Sequence, residues 1–164
     1  MEKLSRDVAI ALMDKGYTMA TIEECTCGLI GAAIASQEYA QRWYKGTLVP
    51  YTEEMAMKLL DIPPYTIERN DFVSCQVAQQ MALCGLYKFD VNICVSIVGY
   101  IDGYGSNNIG AGEVQICVAK LDENKAIDFK YKKLHVKAMD KGDNMEECIK
   151  EALKLTLEHI IGEQ

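Results

Sequence analysis

Apolar positions along this chain follow two periods, and the alternation between them lays out the elements. Residues 2 to 15 place Leu4, Val8, Ala11 and Leu12 on one face, and Gly16 stops them: an amphipathic helix. Thr18 to Ile22 is a short apolar, β-branched run that reads as a buried strand. It breaks into small and polar residues, Glu23 to Gly28. It then resumes as Leu29, Ile30, Ala33 and Ile34, one apolar face of a second helix ending at Ala35. Ser36 to Tyr44 is polar and aromatic and is expected as a loop carrying an exposed Trp43. Gly46 to Val49 is a short strand that Pro50 places at a sheet edge or a strand end.

The second half keeps the same rhythm. Thr52 caps a helix through Leu60, with Glu53 and Glu54 in its favourable first turn. Ile62-Pro-Pro ends it, and Tyr65 to Asn70 is a short helix or turn. Ser74 caps a strongly periodic helix through about Tyr87, with Val77, Ala78, Met81, Ala82 and Cys84 inward. Val91 to Val98 is nearly all apolar, the mark of a central strand covered on both faces. Gly99 to Gly112 is a loop with five glycines. Glu113 to Lys120 alternates as a strand, Asp122-Glu-Asn turns it, and Ile127, Phe129 and Tyr131 continue the period of two. A last helix runs from Asn144 to Ile161. Helices alternating with buried strands give an α/β domain spanning residues 1–164, and the hairpin near residue 122 makes the sheet mixed.

Charge and cysteines narrow the function. A net charge of −7 argues against a nucleic-acid or anionic-membrane surface. No apolar run is long enough to span a bilayer, and acids near Met1 do not suit a signal peptide, so a cytoplasmic protein is expected. Seven cysteines, an odd number without a Cys-x-x-Cys pair, argue against a disulfide framework. Cys75, Cys84, Cys94, Cys117 and Cys148 are expected as buried core residues. Cys25 and Cys27 lie beside two glutamates, but His135 and His159 are distant in sequence, so neither a metal site nor a cofactor is expected.

The stretch from Thr18 to Leu29 carries the candidate chemistry. Strand, tight turn and helix start place unpaired N–H groups and a partial positive charge over a pocket. Thr21 to Leu29 resembles the A-E-S-C-T-G-G-L signature of the CinA C-terminal domain, the nicotinamide-nucleotide amidohydrolase family. Glu23, Cys25, Thr26, Gly28 and Leu29 match it; Glu24 stands at the serine nucleophile and Cys27 at the first glycine. Gly46 to Glu54 resembles the family's G-x-V-x-Y-[ST]-N-E segment, with Tyr51 on the tyrosine. The family's assisting lysine, five residues on, is Ala56 here. Phe72-Val-Ser74, Ala78 and Met81 match a family helix start, and Val95-Ser96 matches V-T. The following G-[IV]-A-G-P-G-G loop becomes Ile97 to Gly103. The likeness covers roughly residues 3 to 120, and it implies a three-layer α/β/α sandwich on a mixed, mostly parallel sheet.

The scaffold positions of the signature match and its chemical positions do not. The resemblance therefore implies a domain related to nicotinamide mononucleotide deamidases that lacks their serine and lysine, a binding or assembly protein. Glu24, Cys25 and Tyr51 are the candidate catalytic positions. Thr26, Cys27, Gly28, Ser96, Gly99, Asp102 and Gly103 are the candidate ligand-binding ones. Glu24 is a general base, a ligand for a cationic group, or a solvated turn residue. Cys25, Cys27 or Thr26 is an alternative nucleophile, and a small-molecule sensor using the same pocket is a third reading. Glu24 and Asp102 disfavour a phosphate: at 4 Å like charges repel by about 1 kcal/mol in water and about 4 kcal/mol at a surface-like dielectric. Trp43, Tyr44, Tyr100 and Tyr104 offer aromatic surface for self-association, so a homo-oligomer is expected.

Overall fold

Two strands buried along their whole lengths, β1 (Met19–Glu23) and β3 (Ile93–Gly99), pair in parallel inside a five-stranded sheet. The computed structural model describes residues 1–106, 109–137 and 140–162. β2 (Tyr44–Leu48) forms one edge, parallel to β1. On the other side β4 (Glu113–Leu121) and β5 (Ile127–His135) follow β3 in antiparallel register, giving the order β2-β1-β3-β4-β5. Two ladders are parallel and two antiparallel, which corrects the expected mostly parallel sheet. The turn at Asp122–Lys125 returns β5 onto β4 as expected, with Asp122 Oδ1 accepting the Asn124 and Ala126 N–H groups; the further antiparallel ladder is the one between β3 and β4.

Among the described residues six α-helices cover the sheet. α1 (Glu2–Lys15), α2 (Leu29–Ala35) and α6 (Lys141–Ile161) bury one face; α3 (Glu53–Leu60), α4 (Pro64–Asn70) and α5 (Cys75–Phe89) lie on the other. The period of two in β3 divides its side chains between these layers. Ile93, Val95 and Ile97 meet Leu12, Ile34 and Leu153, while Cys94 and Val98 meet Val77 and Met81. Gly16 ends α1 in the left-handed region, and the Thr52 and Ser74 hydroxyls accept from the Met55 and Val77 N–H groups as caps. No helix among the described residues is long and apolar enough to cross a membrane.

Several expectations need correction. The segment before β2 contains a single 3-10 turn, Ala40–Arg42, and Trp43 is only 4% exposed, packed in the core beneath it. Tyr44 belongs to β2 and is half-buried, as is Tyr100; Tyr104 is well exposed. Cys75 is exposed at the first position of α5, at the end of the helix, and Cys84 is half-buried at the margin of the core. α6 starts at Lys141, where Asp140 accepts the Gly142 and Asp143 N–H groups, three residues earlier than hydrophobic periodicity indicates. Residues 107 and 108 of the glycine-rich loop lie outside the described residues.

Candidate functional site

The turn between β1 and α2 is built around Glu23, which sequence reasoning left without a role. Its side chain is fully buried and accepts four hydrogen bonds. Oε1 receives the Thr21 hydroxyl at 2.8 Å and the Gly31 N–H at 2.7 Å; Oε2 receives the Thr26 hydroxyl at 2.7 Å and the Ile30 N–H at 3.0 Å. Thr21 is in turn bonded to Thr47 at 2.6 Å and to Tyr44 at 3.1 Å, tying the turn to the edge strand. The start of α2 is thus occupied by the protein's own carboxylate. A signal for this was present: Gly28, the residue before the helix, has no side chain to cap it, so the cap has to come from elsewhere.

Glu24 points the other way. Its backbone N–H donates to the Ile97 carbonyl at 3.0 Å, extending the β1–β3 ladder, and its Oε2 accepts the Gly99 N–H at 3.0 Å. The half-buried carboxyl is pushed up to about 7. Burial is the chief cause, countered by the Gly99 N–H and Lys141 and reinforced by Asp102. Around it lie Cys25, Tyr51, Gly99, Asp102 and Lys141, lining a recess of about 70 Å³. Lys141 is 3.4 Å from Asp102 and also bonds Tyr51. Slight burial draws the ammonium down, but Tyr51 and Asp102 outweigh it and raise it overall. Larger concavities, of about 610 and 380 Å³, lie elsewhere, against α1.

The predicted positions therefore divide. Glu24, Cys25, Tyr51, Gly99 and Asp102 meet in one recess, although Tyr51 and Asp102 are far from the turn in sequence. Thr26 is buried with its hydroxyl donated to Glu23. Gly28 precedes α2 with φ +88°, a conformation that glycine accepts without strain. Ser96 faces the opposite layer, where its buried hydroxyl donates to the Ala78 carbonyl at 2.6 Å. Gly103 lies on the exposed loop beyond Asp102. Cys25 is buried; its thiol is raised by a hydrogen bond with Cys148 on α6, then by burial and Glu24. Cys27 is exposed, with φ +52°, and its thiol is raised by desolvation and the two glutamates against Lys141. Lys141 was missed because nothing in its local sequence marks it; only the fold carries α6 to this turn.

Among the described residues no group of three or more histidine, cysteine, aspartate or glutamate side chains is arranged to hold a metal. The recess has the volume of about two water molecules. That is well below the several hundred Å³ typical of sites that engulf a metabolite.

Comparison with known proteins places the chain as a whole. The family model for the CinA C-terminal domain matches residues 1–160. Protein MG115 homolog of Mycoplasma pneumoniae is 30% identical over 97% of this chain and 98% of its own length. A CinA-like protein of Flavobacterium psychrophilum is 31% identical over 87% of this chain, but the match covers 35% of that protein. A second, from Desulfotalea psychrophila, is matched over 26% of its length, so the chain spans about a third or less of these longer relatives. The crystal structure of a competence or damage-inducible protein from Enterobacter asburiae superposes with a TM-score of 0.87 at 25% identity, covering 97% of both chains. A CinA superfamily protein from Escherichia coli gives 0.89 at 23% identity, covering 96% of this chain and 89% of that one.

Proposed function

This chain belongs to the CinA C-terminal domain family, and from that premise we propose that it is a non-catalytic member, a binding or assembly domain in which the amide-hydrolysing machinery has been replaced. One observation carries the proposal. At the position the family gives to its serine stands Glu24, its carboxylate engaged with the Gly99 N–H in a recess of about 70 Å³.

Acyl transfer requires an activated nucleophile, a base within reach, and free donors for the oxyanion. Each requirement meets an obstacle here. A carboxylate attacks an amide poorly, and its adduct would be an anhydride. The Thr26 hydroxyl is committed to Glu23, and the Ile30 and Gly31 N–H groups of the first turn of α2 point at the same carboxylate. The Cys25 and Cys27 thiols are both raised, which holds them in the unreactive protonated form at neutral pH. Ala56, where the family places its lysine, is fully buried in the α3–α5 layer. Lys141 arrives from α6 instead, paired with Asp102.

The direct test is ammonia release from nicotinamide mononucleotide by purified protein. The expected result is no release above background. Turnover that disappears in Cys25→Ser or Cys27→Ser would overturn the reading in favour of a displaced nucleophile.

A further inference from the structure

Away from the turn, the outer face of α1 carries apolar side chains that nothing among the described residues covers. Ile10 is 47% exposed and Met13 44%. Ile10 lines both neighbouring concavities: one of about 610 Å³ that runs to Tyr39, and one of about 380 Å³ that runs to Ile161 at the end of α6. Tyr39 and Ile161 are themselves half exposed. The helix is therefore a ridge with a hollow on each side, and Ile10 is at its crest.

The charges on this ridge identify what fits it. Arg6 and Asp14 are both exposed and stand four residues before and four after Ile10. At 1.5 Å per residue each lies about 6 Å along the axis from Ile10, on nearly the same face. A helix running antiparallel across Ile10 under a two-fold axis brings the Arg6 of one copy to the height of the Asp14 of the other, and the reverse. That is the self-complementary pattern of an isologous interface. The existing Arg6–Glu2 pair, at 3.0 Å on an exposed surface, holds Arg6 weakly and releases it at small cost. We infer that the outer face of α1 is a homodimer interface in which two α1 helices pack antiparallel about Ile10, with reciprocal Arg6–Asp14 ion pairs. This deepens the assembly side of the proposed function, and it stands or falls separately from the ammonia assay.

Sedimentation equilibrium on the full chain tests it. The wild type should weigh about twice the 18.3 kDa of one chain in the micromolar range. Ile10→Glu places two carboxylates on the axis and should raise the dimer dissociation constant by tenfold or more. Arg6→Asp should weaken the dimer several-fold, by setting aspartate against aspartate. The charge-swapped double variant Arg6→Asp with Asp14→Arg should return to within a few-fold of wild type, a rescue specific to the antiparallel register. Circular dichroism of each variant should remain that of the wild type, because all three side chains are exposed. A monomeric wild type, which would leave this face to another protein, overturns the inference. So does a dimer indifferent to Ile10→Glu, or a double variant no better than Arg6→Asp alone.

Discussion

Between pH 4.5 and 7 the native protein holds a proton on Glu24 that the unfolded chain has released, because folding moves this carboxyl from its ordinary 4.5 to about 7. The native state then binds more protons than the unfolded state, so stability falls as pH rises through this window and levels off above it. The shift corresponds to about 3 kcal/mol at full development. Glu24→Gln should therefore raise Tm by several degrees at pH 8 and change it little at pH 4.5, measured by scanning calorimetry at both pH values. The thiols give a second expectation at this scale. Cys27 and Cys75 are exposed, whereas Cys25, Cys94, Cys117 and Cys148 are buried. Iodoacetamide should label the first two quickly and the other four only on unfolding, as read by peptide mass spectrometry. The Cys27 rate should fall steadily below about pH 8.5, since desolvation and the two glutamates raise the thiol despite Lys141. A plateau reaching pH 6 would mark a catalytic thiolate instead.

α2 is seven residues long and has no side chain of its own at its cap, so its position depends on the Glu23 carboxylate beneath it. Gly31, one turn in, leaves the space that the Thr47 and Tyr44 hydroxyls fill; a Cβ there would overlap both. The helix, the end of β1 and the edge strand β2 are joined by this polar cluster. Glu23→Gln keeps the shape but exchanges one acceptor oxygen for an NH₂ group, which then faces two donors. Each orphaned buried donor costs about 1–3 kcal/mol, so a Tm loss of roughly 5–10 °C is expected in thermal melts. A loss smaller than a degree would show that water or rearrangement satisfies the cluster. Hydrophobic periodicity found α2 readily because Ile30 and Ile34 repeat at four residues. It gave no hint of Glu23, since an acid at the end of an apolar strand reads as the start of a loop.

At the scale of the whole molecule, the layers and most elements were legible because burial enforces them. A strand covered on both faces must be apolar throughout, as Ile93 to Gly99 nearly is, and a helix lying on a sheet must repeat its apolar positions every three or four residues. The signature at Thr21 to Leu29 was legible too, and it located the turn between β1 and α2. Pairing direction was legible only in part: the turn near residue 122 announced the antiparallel β4–β5 pair, but nothing announced the antiparallel β3–β4 ladder, a matter of topology to which side-chain pattern is nearly blind. Exposure of individual residues at element ends was also decided by packing, which buried Trp43 beneath the 3-10 turn and left Cys75 outside. The sequence by itself determined which residues are apolar, where they repeat and which side chains the turn carries. Only the tertiary structure brought Lys141, Asp102 and Tyr51 to Glu24 and left Ile10 of α1 exposed, because such meetings depend on where whole elements come to rest, and no local pattern records that.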